Sequence, residues 1–294
     1  MPNNPSYKLG LIYATSAFFL WGVAVLFFKQ ISHVPPFEVI AHRSIWSLVL
    51  LAVIITFSKK WPVIFETLKS RKLMLTLALS SVLILFNWSV FIWAISNGYI
   101  IESSLGYFIN PLLNVLIGVL VFNEKLTKAQ TVAIGLAALA IVIRLVLAGT
   151  FPWIALSIAT SFAIYGYIRK TVAVGAAEGL FLELLILLLP MIGFLYYLHI
   201  NYGLSFFTID MRTDILLVAA GAVTAVPLLL FSAGARIIRM TTLGLLQYIG
   251  PSLQFAIGLY YGEAFTPIDA IVFGLIWTGL IIYSTSSFRQ ARLA

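Results

Sequence analysis

Long apolar runs recur along the whole chain, and they constrain its fold more than any other feature. The first run follows Lys8 and extends to about residue 28. It is roughly twenty residues long, enough to cross about 30 Å of hydrocarbon. It lacks the short apolar core and small-residue cleavage site of a signal peptide, so we interpret it as a retained membrane span. Only 10% of the residues are charged, whereas soluble domains have about 25%, so lipid is expected to cover much of the surface.

Ten runs of this kind predict an all-α polytopic membrane protein with ten transmembrane helices. Most of the connecting loops are short, and the longer ones cover 58–72 and 200–213. Nothing in the sequence predicts a soluble domain. The predicted spans are 9–28, 37–57, 73–96, 102–122, 127–147, 152–169, 179–199, 214–234, 241–262 and 267–287.

The distribution of Lys and Arg predicts the orientation in the membrane. With the amino terminus in the cytoplasm, fourteen of the 18 basic residues fall in cytoplasmic segments. Lys29 and Arg212 fall on the outer side of the membrane, and Arg43 and Arg144 lie within spans. Cytoplasmic loops carry such an excess, so we expect both termini in the cytoplasm. Basic loops also account for the net charge of +8 better than nucleic-acid binding does.

Two segments resemble each other at an offset of 140 residues, which indicates an internal repeat. The run from Tyr107 to Pro111 matches the run from Gln247 to Pro251, and Gly118 matches Gly258. We therefore expect two five-span halves, 1–147 and 148–294. Because five is odd, the second half enters the membrane from the opposite side, which makes the repeat inverted. Inverted repeats are typical of carriers with a site at the repeat interface near the midplane.

The sequence also resembles a known family, the drug/metabolite transporter superfamily, in its EamA branch and among the RarD-type permeases. This resemblance runs from the first predicted span to the last. It implies a ten-helix inverted-repeat fold in the bacterial inner membrane and an export or exchange role. Relatives carry amino acids, metabolites or drugs, and the RarD name is tied to chloramphenicol sensitivity. The matching segments are Phe19–Gly22, Glu38, His42-Arg43, Trp46-Ser47, Asn87-Trp88, Phe91–Ala94, Glu102–Pro111, Arg169-Lys170, Val226–Leu228, Thr242–Gly244, Gln247–Pro251 and Tyr261–Glu263.

The fourth and ninth spans are predicted to line a substrate pathway. Amide, aromatic and glycine residues recur there on one helical face, and amides in lipid are costly unless they face protein or water. The alternative is that these residues only pack helices together. Prolines in the same spans, and Pro227 in the eighth, are predicted helix breaks or hinges. The predicted pathway and hinge residues here are Tyr107, Asn110, Pro111, Asn114, Gln247, Tyr248, Pro251 and Gln254.

Further polar and aromatic residues complete the candidate site. Trp21, Asn87, Trp88, Trp93 and Tyr165 lie within spans and suit a cavity for an apolar or aromatic solute, although each also fits simple packing.

Ionisable residues within spans form a second candidate set. Glu38 and His42 share a helical face next to Arg43, and Glu183 lies about one turn into the seventh span. They are predicted as a proton or charge site, with structural ion pairing as the alternative.

Other function classes lack their signatures. The chain has no cysteine and no phosphate-binding G-x-x-x-x-G-K-[ST], H-E-x-x-H or G-x-S-x-G motif. We therefore predict a carrier for a small molecule that works without cofactor or metal, with the lipid bilayer as its other partner. A channel, a lipid scramblase and a membrane-embedded enzyme remain alternatives. Small residues in the fifth and tenth spans also permit a homodimer.

The predicted orientation is testable because the cysteine-free chain gives no labelling background. Ser58→Cys and Asn201→Cys lie in the loops that we expect on opposite sides. In intact spheroplasts, a membrane-impermeant maleimide should label Asn201→Cys alone, and Ser58→Cys should become reactive only after permeabilisation. The reverse pattern, or labelling of both, would contradict the orientation.

Overall fold

The protein is all-helical in the part that its computed structural model describes, which is residues 5–122, 128–148, 151–235, 237 and 246–293. That part contains eleven helices. They are α1 (Pro5–Gln30), α2 (Pro36–Phe57), α3 (Trp61–Lys69), α4 (Arg71–Ser96), α5 (Ile100–Phe122), α6 (Lys128–Ala148), α7 (Trp153–Thr171), α8 (Ala176–Asn201), α9 (Met211–Ala235), α10 (Ile249–Tyr260) and α11 (Pro267–Leu293).

Each predicted span coincides with a helix. The ninth does so only in part, because α10 begins at Ile249 and the segment 241–245 lies outside the described residues. Among the described helices, α1, α2, α4, α8 and α9 are long and apolar enough to cross a membrane. The unexpected element is α3, a nine-residue helix within the predicted loop 58–72. Pro62 near its start favours a helix beginning there, and its buried Ile64 packs against the bundle.

The surface of α4 shows how these helices meet lipid. Leu75, Leu79, Val82 and Phe86 are all about half exposed or more, and their spacing places them on one face of the helix. The opposite face is buried and carries small and polar residues such as Ser80. An exposed apolar stripe of this length is unfavourable in water and suits a hydrocarbon environment.

Most helix packing joins the first five predicted spans to the last five. The helix pairs in close contact are α1–α9, α1–α10, α2–α8, α2–α9, α4–α7, α4–α8, α5–α7, α5–α10 and α6–α11. The core of the protein is therefore the interface between residues 1–147 and 148–294. Gly279 of α11 lies against Ala133 of α6, so the small residues of these two helices meet within one chain. The homodimer stays a prediction.

Close backbone approach between α2 and α9 depends on Gly221. A Cβ atom built there would lie 2.5 Å from the Cβ atom of Trp46 and 2.7 Å from the backbone nitrogen of Ser47. The Ser47 hydroxyl donates to the Gly221 carbonyl at 2.9 Å. Backbone atoms cannot give way as a flexible side chain can, so a larger residue must push the two helices apart.

Gly221→Ala is therefore expected to destabilise the fold by about 1–3 kcal/mol through overpacking. Thermal unfolding of the detergent-solubilised protein should show a lower Tm. Gly193→Ala is the matched control, since a Cβ atom there meets nothing within 4 Å and alanine favours a helix. Equal Tm values for the two variants would show that α2 and α9 do not approach as described.

Candidate functional site

Buried polar residues gather at the interface between the two halves. We call Arg43, Asn87, Trp88, Tyr107 and Thr224 the central cluster; they lie on α2, α4, α5 and α9. The solvent-exposed fraction is 5% for Arg43, 1% for Asn87 and 6% for Trp88. A polar group removed from solvent must find partners within the protein, so the contacts of this cluster define what it can bind.

Arg43 is held by one hydrogen bond and two aromatic rings. Its Nε atom donates to the hydroxyl of Thr224 at 3.0 Å. The guanidinium carbon lies 4.4 Å from the ring centroid of Trp88 and 4.9 Å from that of Phe28. Cation–π contacts of this kind stabilise a desolvated guanidinium. The expected alternative of an ion pair with an acid does not occur among the described residues, where Arg43 pairs with a hydroxyl.

Asn87 connects the central cluster to α7. Its amide nitrogen donates to the Ile158 carbonyl and to the Ser161 hydroxyl, both at 3.0 Å. The hydroxyl of Tyr107 lies 3.4 Å from the Asn87 Oδ1 atom. The Tyr107 ring in turn contacts Phe162 with centroids 6.0 Å apart. The cluster thus presents a cation, an amide and a hydroxyl among aromatic rings.

A second group of amides, Asn110, Gln247 and Gln254, lies along α5 and the start of α10. Gln247 donates to the Asn110 Oδ1 atom at 3.1 Å, and Asn110 donates to the Ala159 carbonyl at 3.1 Å. Gln254 donates to the Trp21 carbonyl at 3.3 Å, while its own Oε1 atom is buried without a partner. These bonds also join the two halves. The side chain of Asn114, predicted on the same stripe, lies outside the described residues.

The three predicted hinge prolines differ in position. Pro251 is the third residue of α10, where a missing amide hydrogen costs little. Pro227 lies inside α9, and α5 is helical through position 111. The side chain of Pro111 lies outside the described residues. Neither Pro111 nor Pro227 ends its helix, and a hinge role for any of the three stays a prediction.

Glu183 is neutralised by its neighbours on α4 and α7. Its Oε1 atom accepts from the Ser80 hydroxyl at 2.5 Å and lies 3.5 Å from Nη1 of Arg169. Its Oε2 atom accepts from the Tyr165 hydroxyl at 3.2 Å. The predicted pathway residue Tyr165 is therefore a partner of this carboxylate. A cavity of about 260 Å³ lies nearby at the ends of α2 and α8, with Lys60 and Glu178 in its lining.

Glu38 anchors a loop. Its Oε1 atom accepts from the backbone N–H groups of Ser205 at 2.8 Å and Phe206 at 3.0 Å. The His42 ring contacts the Phe206 ring at 4.5 Å. The Glu38 Oε2 and His42 Nε2 atoms are buried without hydrogen-bond partners. The geometry explains a structural role directly, and proton transfer by this pair stays a prediction.

A carboxylate of the other half, Glu263, anchors α5 in the same way. Its two oxygens accept from the backbone N–H groups of Ile100 at 2.8 Å and Ile101 at 2.9 Å. Glu263 lies in the loop after α10, outside the spans, and burial raises its pKa above the usual value. These bonds stabilise the otherwise unpaired amides of a helix start.

Three aromatic residues of the predicted pathway have ring contacts with residues outside the central cluster. Trp93 stacks on Tyr99 at 5.6 Å. Trp21 contacts Phe18 and Phe231, each at 5.7 Å. The ring of Tyr248 stacks on Phe108 at 6.3 Å.

Several residues that contact Arg43 and Asn87 could not be predicted from the sequence. Thr224 and Phe28 touch Arg43 from α9 and α1, and Ser161 binds Asn87 from α7. Nothing in their spacing points to these partners, because the contacts depend on how distant helices pack. Among the described residues, no group of His, Asp and Glu is arranged to hold a metal ion.

Comparison with known proteins identifies the family. The model of the EamA-like transporter family matches residues 8–146. An uncharacterized transporter of Vibrio cholerae is 40% identical, over 100% of this chain and 97% of that protein. Protein RarD of Streptomyces exfoliatus is also 40% identical, over 97% of this chain and 91% of that protein. The chain belongs to the EamA-like transporter family. It is a transporter of the drug/metabolite type in the RarD branch, and a multi-pass membrane protein.

A solved structure supports the fold of this EamA-like protein. A chain of known crystal structure matches it with a TM-score of 0.65 over 95% of this chain and 98% of that chain. The two sequences are only 17% identical, so the match bears on the fold alone. The family and the names of the sequence relatives point to a transporter rather than an enzyme.

The loop contact of Glu38 leads to a prediction. Glu38→Ala removes the acceptor of two backbone amides, so the amides of Ser205 and Phe206 should exchange hydrogen faster. Hydrogen–deuterium exchange with mass spectrometry in nanodiscs measures this. Glu38→Gln keeps an oxygen acceptor and should exchange more slowly than Glu38→Ala, and Glu66→Ala, at an exposed position, should leave the loop unchanged. Unaltered exchange in Glu38→Ala would disprove the anchor.

Proposed function

We propose that this protein is a secondary carrier that moves a small organic solute across the bacterial inner membrane by alternating access. In this proposal, ten spans form two inverted five-helix halves, 1–147 and 148–294, and both termini lie in the cytoplasm. The solute is an amino acid, another metabolite or a drug, and the carrier works as an exporter or an exchanger. The family supplies the transporter class. The solute classes, the direction and the inner membrane rest on the resemblance to RarD-type permeases, and the two-half arrangement rests on the observations below.

The reciprocal packing of the helices carries the proposal. Under the repeat, α1, α2, α4, α5 and α6 correspond in order to α7, α8, α9, α10 and α11. The contact of α1 with α9 then has its counterpart in α7 with α4, and that of α1 with α10 in α7 with α5. The contact of α2 with α9 corresponds to that of α8 with α4, and each of α2, α5 and α6 contacts its own counterpart. Two halves related by a two-fold axis would pack in this way.

The sequence repeat and the five spans in each half indicate how the two halves are oriented relative to each other. The match at an offset of 140 residues falls in α5 and around the start of α10, which occupy equivalent places in the two halves. If each half crosses the membrane five times, the second half is inverted. Inverted halves exchange their conformations, and the same site then opens to one side or the other.

The polar contacts suit a rocking interface. Arg43 with Thr224, Asn87 with Ser161, and Asn110 with the Ala159 carbonyl each join one half to the other. A single hydrogen bond contributes roughly 0.5–1.5 kcal/mol in net terms. In this proposal, contacts with the solute replace some of these bonds as the halves move.

Transport itself is tested in liposomes that hold the purified protein. Labelled amino acids and chloramphenicol form the panel, and uptake is measured with and without a pH gradient. Uptake that saturates and speeds up with unlabelled solute on the far side supports a carrier. Non-saturating flux without such stimulation favours the channel or scramblase, and the response to the gradient separates proton coupling from exchange and facilitated diffusion.

The pathway residues give a sharper prediction. Asn110→Leu combined with Gln254→Leu removes two amides that bridge the halves, and counterflow should fall by about tenfold or more, as expected when polar contacts to a solute are lost. Tm and elution volume show whether the variant folds. Asn201→Leu, at an exposed helix end, is the control. Full counterflow in a folded double variant would rule out the pathway assignment.

A further inference from the structure

Arg43 is a buried positive charge within the first half of an apolar helix. It is the eighth residue of α2 and is only 5% exposed. A guanidinium remains protonated in proteins. A charge in this environment is costly unless a partner compensates it.

Two other strongly buried charges, Glu183 and Glu38, are stabilised to different extents by their neighbours. Glu183 has Arg169, Ser80 and Tyr165 around it. The Oε1 atom of Glu38 accepts two backbone amides, and its Oε2 atom is buried without a partner.

Arg43 differs from these. Among the described residues no carboxylate pairs with it, and its Nη1 atom is buried without an acceptor. Its charge is therefore left without a counter-ion in the part of the chain that the structure describes.

The guanidinium is also fixed in orientation. Thr224 accepts from Nε, and the rings of Trp88 and Phe28 lie over the group. With rings covering its face, the group is left to bind a ligand through N–H groups along its edge. Planar, bidentate recognition of a carboxylate uses this edge.

The neighbours of the guanidinium indicate the rest of the ligand. Phe28 contacts Phe91 at 6.4 Å, Phe91 contacts Tyr107 at 5.9 Å, and Tyr107 contacts Phe162 at 6.0 Å. This row of rings begins at the guanidinium and reaches the second half at Phe162. It offers an apolar surface beside a single cation, which suits an organic anion with an aromatic or bulky apolar body.

We propose that Arg43 binds the carboxylate of the transported solute, and that the solute is a small organic anion with an aromatic or apolar body. This inference rests on the proposed carrier function, whose site it specifies. The anion neutralises the buried charge and offers two acceptor oxygens. A primary amide of the same shape has one acceptor oxygen and no charge, so it leaves the guanidinium uncompensated and binds much more weakly. If Arg43 only stabilised the packing of α2, its replacement would lower stability without changing the preference for the anion over its neutral analogue.

The test measures binding in nanodiscs of neutral phosphatidylcholine by isothermal titration calorimetry. The ligands are phenylacetate, 3-phenylpropionate and indole-3-acetate, each compared with its primary amide. At least one carboxylate should bind saturably to the wild-type protein, and its amide should bind at least about tenfold more weakly. Arg43→Gln should abolish that preference and leave amide binding unchanged, and Arg43→Lys should fall between.

Arg212→Gln is the matched control, because Arg212 is an exposed arginine that donates to Gln30. It should bind the carboxylates as the wild type does. Failure of every carboxylate to bind, or a preference that survives in folded Arg43→Gln, would overturn the inference. Loss of carboxylate binding when phosphatidylglycerol is added would assign the site to an anionic lipid headgroup and would also overturn it.

The two proposals fail separately. Carboxylate binding that depends on Arg43, without any counterflow, contradicts the carrier and leaves the anion site standing. Counterflow of neutral solutes alone, unchanged in Arg43→Gln, supports the carrier and rejects the anion site.

Discussion

The constraint on which this structure depends is that lipid offers no hydrogen-bond partners to polar groups. The exposed faces of the helices are accordingly apolar, as the stripe from Leu75 to Phe86 on α4 illustrates. Buried polar side chains find their partners on their own helix, as Ser44 does with the Ile40 carbonyl, or on another helix, as Arg43 does with Thr224. Since most helix contacts cross between the two halves, many of these partners belong to the opposite half. The interface between the halves is therefore both the core of the fold and its polar region.

The buried charges at this interface are stabilised in different ways. Glu183 has an arginine and two hydroxyl groups around it, an arrangement that satisfies a carboxylate within the protein. Arg43 has rings and one hydroxyl, an arrangement that orients a cation without neutralising it. The first arrangement is complete as it stands. The arrangement around Arg43 has capacity for one more negatively charged group. Arg43 and Glu183 therefore have different functional interpretations, although both lie within spans.

Close packing and weak polar contacts together suit a moving interface. Gly221 brings α9 against the backbone of α2, so these two helices pack closely. Each hydrogen bond across the interface contributes only roughly 0.5–1.5 kcal/mol in net terms, so individual bonds break and re-form at modest cost. The central cluster is nearly closed to solvent, with Asn87 only 1% exposed. Under the proposed carrier function, the halves separate on one side to admit the solute to this cluster.

The sequence by itself determined the helices and the membrane class, because the length of an apolar run and the charge of its loops are local properties of the chain. It also indicated which residues are polar within the spans. Only the tertiary structure decided their partners: Arg43 meets Thr224, which lies 181 positions away; Glu38 holds a loop; and Trp93 stacks on Tyr99 instead of joining the central cluster. The short helix α3 also went unpredicted, since it lies on the bundle without crossing it. The physical reason is that a side chain's neighbours depend on how each helix is rotated and which helices it packs against. Those quantities are set by contacts between distant segments, and no local pattern encodes them.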